Sequence, residues 1–219
     1  VRCVVKTVLS NSAADQRFQS LFLDEARLIS LLRHPNIVSV MDTGRAGDRL
    51  YMALEWVDGL DAGELAEKAR KSGDIPLPHL LYLFREVLQG LHYAHTATDN
   101  AGAPLNIVHR DISPGNVLIS KHGAVKLADF GVAIGAAIET KGSAETLAGK
   151  PHYFAPELWR GKRASAGTDI WALGVTFLEL LTARPLFSRK KTVKQLAFEI
   201  VQFDIRTFLE NDLTFPDGL

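Results

Sequence analysis

His109-Arg110-Asp111-Ile112-Ser113-Pro114-Gly115-Asn116 and, thirteen residues beyond it, Asp129-Phe130-Gly131 are the stretches on which the reading of this chain turns. Between them lie two short apolar runs, Val117 to Ile119 and Val125 to Leu127, separated by Lys121-His122-Gly123. Runs of this length around a glycine turn read as a small β-hairpin. A hairpin folds its flanks side by side, so Asn116 and Asp129 can share a divalent cation through oxygen ligands, a donor set that suits Mg²⁺. Asp111 then lies close by, free to orient an incoming hydroxyl. Either short motif alone is a weak signal; together, in this order and at this spacing, they are a strong one.

Toward the N-terminus, Thr96 to Pro104 reads as a polar loop. It follows a helix from about Leu77 to His95, with Leu80, Leu81, Phe84, Val87, Leu88 and Leu91 on one face. A shorter helix is expected from Ala62 to Lys71. Two short strands are expected near Ile37 to Met41 and Leu50 to Glu55, with Gly44 and Gly47 in the turn between them. Phe18, Leu21, Phe22, Leu28, Ile29 and Leu32 recur at helical spacing. That helix stops before His34-Pro35, because proline drives the preceding residue out of the α region. Ser10 to Asp15 is a polar turn, and Val1 to Val8 is β-branched and reads as a strand.

Toward the C-terminus, Gly131 to Lys150 is rich in Gly, Ala, Ser and Thr, lacks a period and is expected to be a mobile loop. Thr168 to Leu181 and Thr192 to about Gln202 read as helices. Strands with one helix, followed mostly by helices, predict an α+β protein with a small sheet-containing lobe and a larger helical one.

The 219 residues suffice for one large domain or two small ones, and a hydrophobic share of 47% can bury a core. Lys plus Arg and Asp plus Glu are each 25, so charge gives no sign of a nucleic-acid or membrane-surface partner. The single cysteine, Cys3, rules out a disulfide framework or a Cys-based zinc site within the chain and suits a cytoplasmic setting. The most apolar run, Ile170 to Leu181, is too short to span a bilayer and contains Glu179. No signal peptide is visible, and the missing initiator Met suggests a part of a longer protein, whose membrane tether, if any, would lie elsewhere.

Glu25 lies on the apolar stripe of its helix, between Phe22 and Leu28. A carboxylate turned toward a packed interior needs a partner. Lys6, on the preceding strand, is the nearest plausible one; the alternative is that Glu25 sits at the stripe's edge in water.

Over nearly its whole length the chain resembles the protein kinase superfamily, in its bacterial, eukaryotic-like serine/threonine form. Cys3-Val4-Val5-Lys6 resembles the V-A-I-K strand, His109 to Asn116 the H-R-D-L-x-x-x-N loop, Asp129-Phe130-Gly131 the D-F-G and Ala155-Pro156-Glu157 the A-P-E. His34 to Val38, Asp169 to Gly174 and Arg184 to Phe187 also resemble kinase segments. The resemblance implies a two-lobe fold, with residues 1–57 forming part of the small lobe and 58–219 the large one. It implies ATP and Mg²⁺ as cofactors, a protein substrate, transfer of the γ-phosphoryl group to Ser/Thr hydroxyls, and autophosphorylation in trans.

Residue by residue, it implies that Lys6 holds the α- and β-phosphates and pairs with Glu25. Asp111 accepts the substrate proton, and Asn116 and Asp129 hold the metal. Leu54 falls at the gatekeeper position. The backbones of Glu55 and Val57 meet the adenine edge, Leu118 lies beneath the adenine and Asp61 reaches the ribose. Asp169 braces the catalytic loop, and Ile29, Val40, His109 and Phe130 stack between the lobes. Arg110 implies control by an activation-loop phosphate, with Thr140, Ser143 and Thr146 as candidates.

Two departures stand out. Ser113 occupies the position where such kinases carry a lysine, and Lys150 follows Gly149 where they carry a threonine. Both groups ordinarily contact the catalytic Asp, so the pair looks exchanged, and Lys150 is expected to supply the displaced charge beside Asp111; the alternative is that Lys150 points to solvent. Val4 replaces a small alanine, a mild change. No glycine-rich loop precedes Lys6 within the chain, and no arginine partner for Glu157 is evident before Leu219. Two rivals follow. One is a pseudokinase that binds nucleotide or partners without phosphotransfer. The other is a small-molecule kinase, against which the Asp129 to Glu157 segment and the Asp169 to Gly174 motif argue.

Overall fold

In a computed structural model, the structure describes residues 2–7, 16–73, 75–130 and 150–212. Gly131, Thr140, Ser143, Thr146 and Gly149 lie outside the described residues, as do the loop expected over 131–149, the turn at Ser10 to Asp15 and the side chains of Glu25, Phe18 and Leu21.

Strands β1 (Cys3–Thr7), β2 (Val40–Ala46) and β3 (Arg49–Glu55) form an antiparallel sheet in the order β1-β3-β2. Helix α1 (Gln16–Leu31) packs on it, and its Phe22 and Ala26 form a small core with Leu50 and Met52. The larger lobe holds α2 (Ala62–Ser72), α3 (Leu77–Thr96), α4 (Pro156–Trp159), α5 (Ala166–Thr182), α6 (Val193–Gln202) and α7 (Ile205–Asp212). Its own small sheet is β4 (Gly59–Asp61), β5 (Val117–Ser120) and β6 (Val125–Leu127), antiparallel in that order. The protein is thus α+β and two-lobed, with a small N-terminal sheet plus helix and a larger, mainly helical part.

The first hairpin is displaced from its expected place. Residues 37–39 are not strand, and Gly44 lies within β2, so the turn is Gly47-Asp48 alone. Gly47 has φ +59°, a left-handed value that suits a glycine at a tight turn. Residues 36–38 are held elsewhere: Leu127 N donates to Asn36 O and Val38 N to Leu127 O, each at 2.8 Å. Backbone groups used on β6 cannot also pair with β3, so the strand begins only at Val40.

That junction couples the lobes. Asn36 is buried, and its Nδ2 donates to Glu86 Oε2 on α3 and to Val125 O, each at 2.9 Å. Helix α3 approaches it at Gly90, where an added Cβ would come within 2.9 Å of Asn36 O. Along α3 the buried residues are Leu80, Leu83, Val87, Gly90, Leu91 and Ala94, while Leu81 is exposed. The buried stripe therefore passes through Leu83 rather than Leu81, as an i, i+3, i+7 pattern from Leu80 requires.

Candidate active site

A short 3₁₀ turn, Pro114–Asn116, leads from the His109–Ser113 loop into β5. Ala128 N donates to Asn116 O at 2.9 Å, which fixes the entry to Asp129 beside the exit from the loop. The hairpin read from the sequence thus brings the two motifs together.

The loop is bent and held. Arg110 (φ +70°) and Asp129 (φ +56°) both take left-handed backbone values, uncommon for residues with a side chain. The carboxylate of Asp169, buried on α5, accepts the N–H of His109 at Oδ2 and of Arg110 at Oδ1, both at 2.8 Å. Asp169 braces the loop as its motif implied. His95 of α3, a partner that sequence reasoning missed, adds a contact from Nε2 to Asp169 Oδ2 at 2.8 Å. A lone histidine near a helix end carries no signal in sequence.

His109 is completely buried and packs against Phe130, ring centres 4.3 Å apart. Asp111 N donates to His109 Nδ1 (3.3 Å), so the proton sits on Nε2, which donates to Ala128 O (3.1 Å). Burial pushes the imidazole below its ordinary pKa, keeping it neutral in this tautomer. Ile29 is buried and Val40 half-buried against the same core.

Replacing Asp169 by Asn turns one of its two acceptors into a donor facing a backbone N–H. Asp169→Asn is expected to cost about 3 kcal/mol of stability, the worth of a charge-assisted bond plus an unmet donor. A lower urea midpoint at unchanged slope is the expected reading. An unchanged midpoint would show that the clamp contributes nothing.

At the centre, Asp111 has a side chain only 15% exposed. Its Oδ2 accepts Asn116 Nδ2 at 2.8 Å and Lys150 Nζ at 3.4 Å. Asn116 Nδ2 also donates to Asp111 O at 2.7 Å. Lys150 Nζ donates to Ser113 Oγ at 2.7 Å and to Asn116 Oδ1 at 3.3 Å. Lys150, Ser113, Asn116 and Asp111 therefore form one connected cluster. Among the described residues, Asp111 Oδ1 has no hydrogen-bond partner.

Lys6 Nζ lies 3.4 Å from Asp129 Oδ1, which brings the first strand to the same place. Glu25 lies on α1, which packs on the sheet, but its side chain is outside the described residues. Leu54 lines a small gap behind Lys6 with Met52, Ile29 and Phe130. Glu55 pairs through its side chain with Lys126 at 3.1 Å, and its N–H donates to Ser39 O at 2.9 Å. Val57 follows two residues on. Asp61 stands opposite Leu118 in the β4–β5 register, and its Oδ1 caps α2 by accepting Glu64 N at 2.9 Å. One oxygen of Asp61 is therefore taken.

Sequence reasoning also missed a buried cluster under this site. Glu179 of α5 accepts Tyr153 OH at 2.6 Å and Leu186 N at 3.1 Å, and Arg189 lies 3.7 Å away. Burial and the neighbouring carboxylate push the Tyr153 phenol well above its ordinary pKa. The signal was present in the one acid within the most apolar run of the chain.

The sequence matches the family described as "Protein kinase domain" over residues 2–217. It is 40% identical over 194 residues to the tyrosine-protein kinase MasK of Myxococcus xanthus, covering 88% of this chain and 30% of that protein. It is 34% identical to the serine/threonine-protein kinase PrkC of Bacillus subtilis, covering 86% of this chain and 28% of that one. The chain thus spans less than a third of the length of these curated relatives. Among solved structures, a mutant of the PknI kinase domain from Mycobacterium tuberculosis superposes with a TM-score of 0.65 at 26% identity, over 91% of this chain and 72% of that one. A match that runs from the first described strand to beyond α7, on a fold that brings Lys6, the His109 to Asn116 loop, Asp129 and Asp169 together, leaves one assignment: the chain belongs to the protein kinase family, in its bacterial, eukaryotic-like form.

Proposed function

We propose that this chain transfers the γ-phosphoryl group of ATP to serine and threonine hydroxyls of proteins, within a longer signalling protein. The observation that carries this reading is Asp111. One carboxylate oxygen is held by Asn116 and Lys150, the other is unengaged among the described residues, and Asp129 with Lys6 stands across the hairpin. A carboxylate oriented in this way can accept a hydroxyl proton as the oxygen attacks.

Asn116 and Asp129 would hold Mg²⁺. An amide and a carboxylate oxygen are hard donors, and among the described residues no group of three His, Cys, Asp or Glu side chains forms a metal cage. That fits a metal completed by phosphate oxygens and water, as Mg²⁺ prefers. When bound, the metal neutralises charge on the phosphates. Lys6, paired with Glu25, would hold the α- and β-phosphates. Leu54, the backbones of Glu55 and Val57, and Leu118 would bound the adenine, and the remaining oxygen of Asp61 would meet the ribose. Arg110 Nε is buried without a hydrogen-bond partner among the described residues, a donor suited to a phosphate on Thr140, Ser143 or Thr146. Such a phosphate could come from a second copy acting in trans. No helix among the described residues is long and apolar enough to cross a membrane, and we place the reaction in the cytoplasm, where ATP is available.

One observation favours a second acceptor class: the 40%-identical MasK is named a tyrosine-protein kinase. The test is to incubate the full-length protein with Mg²⁺, γ-labelled ATP and a basic acceptor protein, followed by phosphoamino-acid analysis. Label on serine or threonine, absent with Asp111→Asn, is the expected result. Label on tyrosine alone would overturn the acceptor class. No label, with Mg-ATP still bound, would favour the pseudokinase.

A further inference from the structure

Helix α5 carries two buried acids, Asp169 and Glu179. Asp169 holds the loop that bears Asp111, through the N–H groups of His109 and Arg110. Glu179 stands ten residues further along the helix, about 15 Å at the α-helical rise. Its Oε2 accepts Tyr153 OH at 2.6 Å and its Oε1 accepts Leu186 N at 3.1 Å. A phenol-to-carboxylate bond of this length is charge-assisted. Arg189 Nη2 donates to the same phenol oxygen at 3.1 Å and lies 3.7 Å from Glu179 Oε2, so the hydroxyl is fixed from both sides.

That anchor lies at the end of the turn that begins with Lys150. Tyr153 closes the 3₁₀ turn Pro151–Tyr153, and its N–H donates to Lys150 O at 3.0 Å. Pro151 fixes one φ within the turn. The backbone of Lys150 is therefore placed by where Tyr153 is held. The contacts of the Lys150 ammonium need that help. Only the bond to Ser113 Oγ is short, at 2.7 Å; those to Asn116 Oδ1 and Asp111 Oδ2, at 3.3 and 3.4 Å, are long for N–H···O bonds. The Lys150 side chain is 42% exposed, so water competes for the ammonium, and its four-carbon stem has rotamer freedom to lose.

We infer that Tyr153 and Glu179 are positioning residues, whose hydrogen bond seats the turn that aims Lys150 at Asp111. One helix then sets both partners of the Lys150–Asp111 contact, the loop through Asp169 and the turn through Glu179. Ser113 brings a hydroxyl and no charge to the loop, so among the described residues the ion pair of Asp111 is made with this turn. The competing account is that the Tyr153–Glu179 bond stabilises the helical lobe and nothing more. In that case its loss acts equally with or without Lys150. The effect on turnover rests on the kinase reading; the seating of Lys150 does not.

The first arm of the test is trace acetylation of the full-length protein with acetic anhydride, read lysine by lysine by mass spectrometry. Lys150 is expected to react several-fold more slowly than Lys162 and Lys194, which are exposed. Tyr153→Phe keeps the ring and removes the hydroxyl, and Lys150 is then expected to react within about twofold of those two. A Lys150 that stays equally protected in Tyr153→Phe overturns the inference. The second arm is turnover on a basic acceptor protein with labelled ATP. Tyr153→Phe is expected to lower kcat/KM by about tenfold in the parent and by less than about twofold in the Lys150→Ala background, with Mg-ATP affinity within about twofold throughout. Equal losses in both backgrounds overturn the inference in favour of the purely structural account. Lys150 unmasked in the first arm, with no turnover by any variant, refutes phosphotransfer and leaves the positioning role standing. If Tyr153→Phe melts below the assay temperature, Arg189→Met, at a side chain 55% exposed, takes its place, with an effect of about two- to threefold expected in each arm. No effect of Arg189→Met in either arm then overturns the inference.

Discussion

Asp111→Asn is expected to lower phosphoryl transfer by about 10³-fold, while Mg-ATP affinity changes by less than about threefold. The size follows from what the change removes. A positioned general base contributes on the order of 10²–10⁴ in rate, and the substitution alters almost nothing else. Asn has the same shape, and its Oδ1 can still accept from Asn116 Nδ2, now 2.8 Å from Asp111 Oδ2. Its amide N–H₂ then points where the acceptor hydroxyl would lie and offers a donor in place of a base. Lys150, 3.4 Å from the same oxygen, also loses its counter-charge. The drop should appear in kcat, because Lys6 and Asp129, which would meet the nucleotide, are untouched. Activity within about tenfold of the parent would remove Asp111 from the proton-transfer role.

Much of the fold was legible because its signals are local. The stop at His34-Pro35, the short strand at Leu50 to Glu55 and the Lys121-His122-Gly123 turn each constrain their own few residues, and the structure follows them. What failed was competition between distant partners. Ile37 and Val38 have strand composition, but the backbone at Asn36 and Val38 is engaged by Leu127 from the other lobe. Composition cannot reveal which of two sheets will win a segment. Leu81 fits the apolar count of its helix and still faces solvent, because Leu83 points at the core instead. The three-residue strand Gly59–Asp61 is too short to show a period and forms only because β5 lies beside it.

The site divides in the same way. Asp111, Asn116 and Asp129 were legible from spacing, since a hairpin leaves few places for its flanks. Asp169 needed the motif resemblance, because sixty residues separate it from His109 in the chain, and no periodicity spans that distance. His95, Tyr153 and Arg189 acquire their roles only through contacts made in three dimensions. Glu179 was visible as an anomaly within an apolar run, but its partners were not.

Lys150→Ala is expected to lower kcat/KM by about 10- to 100-fold, the equivalent of one charge-assisted contact of about 1.5–3 kcal/mol. The ammonium joins Ser113 Oγ, Asp111 Oδ2 and Asn116 Oδ1, so its removal loosens the base and leaves buried Ser113 short of its closest partner. Size alone does not separate a specific role from general damage; the order of the mutants does. If the charge is what matters, moving it to the other position should recover part of the loss. Ser113→Lys in the Lys150→Ala background is therefore expected to regain several-fold in turnover. Ser113→Lys alone should be worse than that double mutant, because Lys150 Nζ lies 2.7 Å from Ser113 Oγ and two ammonium groups would compete for the same carboxylate. The double-mutant cycle then has a favourable coupling that neither single change predicts. A double mutant no better than Lys150→Ala, at equal melting temperature, would mean that the positive charge at this position does not act on Asp111, and Lys150 would be a surface residue that happens to point inward.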